Sequence, residues 1–245
     1  MYLARSPDWI RDAAARTAEE VRAFVAAGTA FLLRPGTFAR EWVEGRRTAL
    51  NPFAVLATGA GMLAAARALL HAVAGGGAAD SSLVGSILDA VAPFAHYAFL
   101  GAVCHAALRP LARSGRSFSD SLGISLFAAG GPGVAAVLLV YLAGVGAWVV
   151  SGRPEVGAGG LFAALPRSVS VGLQLLAMAA YVVFLAVFLL AMRALHGARL
   201  WQAGLALAVA VTCAAALFGL RPADVPFGTR IILQLHPMHL RFWVD

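Results

Sequence analysis

Residues 122–150 read LGISLFAAGGPGVAAVLLVYLAGVGAWVV, without a single charged side chain. A membrane-spanning helix needs about 20 mostly apolar residues, so this run is longer than one straight crossing requires. Its middle carries Gly130, Gly131, Pro132 and Gly133. Proline lacks the amide that a helix interior uses, and excess length is taken up by tilting or kinking. A tilted, kinked or broken helix is therefore expected here. Irregular backbone at membrane depth is tolerated only where it is buried in protein or lines a cavity.

Four more stretches have the length and character of spans. They run over Pro52–Val73, Leu83–Leu108, Val169–Met192 and Leu200–Leu220. The predicted fold class is all-α, a polytopic bundle of five transmembrane helices with interfacial amphipathic helices at its N-terminus. The composition agrees: the 245 residues are 60% hydrophobic and 13% charged. A soluble domain carries about 25% charged residues, so a disordered chain, a disulfide scaffold and most soluble globular folds are excluded by this reading. The first residues alternate charged and apolar character, and no cleavable signal segment is read there.

All 19 basic residues are arginine, a usage that points to a GC-rich bacterial genome. Thirteen fall in the region up to Arg47, after the second span and after the fourth; five fall on the opposite side. Arginine accumulates on the cytoplasmic side of a membrane. The expected location is the bacterial cytoplasmic membrane, with the N-terminus in the cytoplasm and the C-terminus outside. Residues 1–50 form the cytoplasmic amphipathic part, 51–220 the transmembrane domain and 221–245 an extracytoplasmic tail. In the first part Ile10, Ala14, Thr17, Val21, Phe24, Gly28 and Phe31 recur at spacings of three and four. That periodicity predicts an amphipathic helix lying on a membrane or against a partner helix. Pro35-Gly36 ends it, and a second short amphipathic helix carries Phe38 and Trp42.

Three patches resemble the Yip domain family of small integral membrane proteins. One is Leu33-Arg34-Pro35-Gly36-Thr37-Phe38. The second runs from His96 through Leu108-Arg109-Pro110-Leu111-Ala112-Arg113-Ser114-Gly115-Arg116-Ser117-Phe118. The third is Met192-Arg193-Ala194-Leu195-His196-Gly197-Ala198-Arg199. The resemblance implies about five spans, a cytoplasmic N-terminus and a role in membrane organisation.

Ionisable side chains inside spans are costly and mark candidate sites. Arg67 and Asp89 are expected about 10 and 9 Å below the same surface on neighbouring spans, close enough to pair. The pair reads either as a pin for a helical hairpin or as part of an ion path. Asp89, Pro93 and His96 share one helix face. With the Gly130, Gly131, Pro132, Gly133 break they compose the site of a hypothetical small transporter. The competing reading is close helix packing, with Gly59, Gly61, Gly123, Gly144 and Gly146 letting helices approach. His71, His105 and His196 lie in or beside spans, and His105 and His196 share a depth at which haem is conceivable. His236 and His239 flank Pro237 in the tail. None of these has the spacing of a metal site, so no cofactor and no metal is expected. Cys104 and Cys213 read as small buried hydrophobes. Nucleotide-binding, hydrolase and metalloprotease motifs are absent from the sequence, and no nucleic-acid partner is expected. The partners expected are the lipid bilayer and other membrane proteins or further copies of the chain. The leading function is non-enzymatic, through lipid or membrane-protein association. The alternatives are a small transporter, an accessory subunit of a transport or respiratory complex, and a membrane enzyme.

Overall fold

The computed structural model describes residues 8–46, 51–73, 83–152 and 165–218. Within them the ordered elements are helical, and no strand occurs. Helix α1 spans Asp8–Leu33, α2 Pro35–Val43, α3 Pro52–Val73 and α4 Leu83–Leu111. Helix α5 (Phe118–Ala128) runs through a π turn at Ala129–Gly133 into α6 (Val134–Val150). Helices α7 (Arg167–His196) and α8 (Leu200–Phe218) follow. The linker at 74–82, the tail at 219–245 and with it His236 and His239 lie outside the described residues.

Two continuous helices among the described residues are long and apolar enough to cross a membrane, Phe118–Val150 and Arg167–His196. Shorter apolar helical stretches occupy Pro52–Ala66 and Leu200–Ala214. At a rise of about 1.5 Å per residue, the first of the two long helices reaches about 50 Å. Its two halves differ in surroundings. Residues 123–134 are all buried, whereas Leu139, Leu142 and Val150 beyond them are exposed.

The N-terminal pair of helices helps to enclose the first half, together with α3, α4 and α7. Phe24, Ala27 and Phe31, spaced by three and four, turn one face of α1 into the core. Arg34 separates α1 from α2, as expected for a residue before proline, which is pushed out of the helical region. Pro35 then sits in the first turn of α2, where its missing amide costs nothing. Phe31, Phe38 and Phe127 stack edge to face, with ring centroids 5.1 and 5.0 Å apart. Trp42 adds its ring 4.9 Å from Phe127. It fits there because Gly123 leaves a notch: a methyl group on that residue would stand 3.3 Å from the indole nitrogen. Thus α1 and α2 dock on their own chain, and α2 lies along α7.

The π turn has a physical cause. Pro132 has no amide to give the carbonyl four residues back, and its ring would collide with that carbonyl in a regular helix. One extra residue in the turn relieves both, and the Val134 amide reaches the carbonyl of Ala129, five residues back. The helix therefore runs on through Gly130–Gly133 without a break.

Candidate functional site

The glycines of the π turn are used for contact. A Cβ on Gly130 would lie 2.8 Å from the Val55 carbonyl oxygen of α3. On the reverse side of this crossing, a Cβ on Gly59 would lie 3.0 Å from the Gly130 carbonyl oxygen and 2.8 Å from Val134. Gly28 of α1 meets Gly131, where an added Cβ would stand 3.1 Å from the Gly28 Cα. Gly133 faces the ring of Tyr97 on α4 at 3.8 Å by the same measure. The irregular backbone is thus buried in protein, with the backbones of two other helices against it. Of the other glycines expected to bring helices together, Gly123 does so, while Gly61 and Gly146 face open space.

Arg67 lies on α3 and Asp89 and Pro93 on α4. Their side chains, like that of His71, lie outside the described ones, so the expected Arg67–Asp89 pair is placed by its helices alone. His96 is buried on α4, with Nε2 3.4 Å from the Tyr181 hydroxyl of α7. Its ring meets Tyr97 edge-on at 5.5 Å. The structure therefore gives His96 a partner on another helix.

A second polar cluster joins three helices near the turn that links α7 to α8. His105 Nδ1 lies 2.9 Å from the Ser121 hydroxyl, and His196 Nε2 lies 3.0 Å from the same oxygen. All three residues are buried. The register is set one turn away. Gly101 of α4 faces Ser125 of α5 so closely that a Cβ would fall 1.8 Å from the serine oxygen. Helices α4 and α5 run in opposite directions there, so His105, four residues on, meets Ser121, four residues back. The Ser125 hydroxyl donates to the Ser121 carbonyl at 2.8 Å and adds no polar demand of its own.

One hydroxyl proton serves two imidazoles, so Ser121 donates to one and accepts from the other. His196 Nδ1 is buried without a hydrogen-bond partner. A bare lone pair is cheaper to bury there than an N–H group. That argument orders the chain: His196 Nε2–H donates to Ser121, which donates to His105 Nδ1. The imidazole centroids are 5.4 Å apart with the hydroxyl hydrogen-bonded to both, where an axially held metal would have to sit. A haem between these histidines does not fit this arrangement.

The ends of the same helices are tied by local chemistry. Ser117 and Asp120 form a reciprocal capping box at the start of α5, with bonds of 3.2 and 3.0 Å. Gly197 ends α7 with φ +64, a left-handed cap that suits glycine. Arg116 donates through Nε to the Leu195 carbonyl at 3.2 Å, and Gln202 donates to the Leu111 carbonyl at 2.6 Å. These two bonds hold the α4–α5 and α7–α8 turns together. Ser121 was not singled out by the sequence reading. The signal for it is Ser117, Ser121 and Ser125 at intervals of four, running from the cap of α5 into its apolar part. Comparison of the chain with protein-family models, curated proteins and solved structures gives no match.

Proposed function

We propose that this chain is a multi-pass protein of a bacterial cytoplasmic membrane that acts without catalysis, by associating with lipid or with other membrane proteins. In this reading α3, α4, the α5–α6 helix, α7 and α8 are the five spans. The N-terminus and the α4–α5 and α7–α8 turns face the cytoplasm, and the arrangement is of the kind the Yip domain resemblance implies. The observation that carries it is the packing of the π turn. Gly130 and Gly131 lie against Val55, Gly59 and Gly28, so the irregular backbone serves a helix crossing. Small residues of this kind let helix backbones approach in a bilayer, where packing drives association. The exposed leucines and valines of α6, α7 and α8 supply a surface suited to hydrocarbon.

The test is reconstitution. Liposomes containing the purified chain are expected to hold proton and sodium gradients as well as protein-free liposomes do. Crosslinking in native membranes is expected to give a defined self or partner adduct. Gradient loss that disappears in Asp89→Asn or His96→Ala would transfer the assignment to a small transporter, the reading that the buried His96–Tyr181 contact favours.

A further inference from the structure

The two turns held together by Arg116 and Gln202 present a strongly basic surface. Arg109, Arg113, Arg116, Arg193 and Arg199 are all exposed on it. Arg34, also exposed, precedes Gly36, whose added Cβ would stand 3.3 Å from Ala194, which places it at the same end. Asp120, in the first turn of α5, has a carboxylate engaged in the Ser117 capping box. A guanidinium at the C-terminus of a helix is favourable in its own right, and Arg116 uses its Nε in that way. Arg109 and Arg193 lie in the last turns of α4 and α7, and Arg113 and Arg199 lie beyond those helix ends. Around them stand exposed apolar and aromatic side chains: Leu111, Phe118, Leu200 and Trp201, the last 59% exposed. Arginine beside exposed tryptophan and phenylalanine is the composition of the boundary between headgroups and hydrocarbon.

We propose that this face binds the phosphodiester headgroups of anionic phospholipids, with Arg109, Arg113, Arg193 and Arg199 as the recognising groups. Guanidinium groups match phosphate oxygens in a planar fork, which lysine does not do. Trp201 and Phe118 set the depth at which the headgroups meet them. The inference rests on the membrane reading above and adds the class of lipid and the residues that select it.

The experiment uses the full chain purified in a mild detergent. Native mass spectrometry follows retention of added phosphatidylglycerol against phosphatidylcholine, and a thermal-shift assay follows stability with each lipid and with inorganic phosphate. Phosphatidylglycerol is expected to be retained in preference and to raise Tm, both effects weakening with salt. Replacing all four arginines by glutamine is expected to abolish the preference. Each single replacement lowers retention by about fivefold at low salt, the effect of about one interfacial charge. Replacement by lysine keeps the charge and is expected to retain only part of the preference. Equal retention of the two lipids by the wild-type chain overturns the proposal without recourse to any variant. An equal Tm rise with inorganic phosphate overturns the lipid assignment. Carbonate extraction of native membranes separates this failure from a wider one. A chain that stays in the pellet but shows no lipid preference refutes only the headgroup site, whereas release into the supernatant refutes the membrane reading itself.

Discussion

At the scale of single residues, the Ser121 hydroxyl carries more connections than any group the sequence pattern pointed to. It sits between His105 and His196 and ties α4, α5 and α7 at one end. Ser121→Ala removes one oxygen and leaves two buried imidazole nitrogens without their partner. We expect a loss of about 1–3 kcal/mol, read as a lower Tm in detergent. Ser119→Ala is the matched control, because Ser119 is exposed and only touches the Ser117 hydroxyl; it should stay within about 0.5 kcal/mol of wild type. Equal Tm values for the two variants would remove the bridge from the account of stability. The serines at 117, 121 and 125 form a stripe in the sequence, but their partners cannot be read from it. His196 lies 75 positions away, and which histidine meets which serine depends on the Gly101–Ser125 contact that sets the helix register.

At the scale of elements, hydrophobic periodicity carried much of the information. The stripe through Phe24 and Phe31 and the stop near Pro35 were legible before any coordinates. What the stripe covered was not. An amphipathic face looks alike whether it rests on lipid or on protein, and here Phe31 and Phe38 pack against Phe127. Phe38→Ala should therefore cost about 3–5 kcal/mol, as for a buried aromatic, while Val21→Ala, on the same face as Phe24 but exposed, should cost little. Equal effects on Tm would mean that α2 is not part of the folded core. The helix crossing makes a parallel expectation. Gly130→Ala forces a methyl group against the Val55 backbone and should destabilise by about 1–3 kcal/mol. Gly61→Ala enters open space and should be near neutral or stabilising in the same melt.

At the scale of the whole molecule, the positions of arginines relative to the helices predict an orientation that labelling can read. In a background with Cys213 replaced by Ser, Arg113→Cys and Ser151→Cys place thiols beyond opposite ends of the helix that runs from Phe118 to Val150. A membrane-impermeant maleimide added to intact cells should label Ser151→Cys alone, and Arg113→Cys should react only after the cells are opened. The reverse pattern would invert the proposed topology, and labelling of both in intact cells would rule out a crossing by that helix. The sequence indicated such an arrangement through charge placement, which needs no knowledge of side-chain contacts. The Arg67–Asp89 pairing does need that knowledge, so depth matching alone carries it.

The π turn also acts as a phase shifter for the helix that contains it. One additional residue rotates everything beyond it by about 100° relative to an uninterrupted α-helix. Deleting Pro132 would remove both the cause of the wide turn and its extra residue, and Val134 would keep its phase against Gly59. Holding all five residues in regular α-helix would instead swing Val134 away from Gly59 and turn a different side of α6 toward its neighbours. Because α6 is apolar along its length, the cost of that rotation would fall almost wholly on the helix crossing. The width of this turn is thus a rotational setting for the helix that follows it.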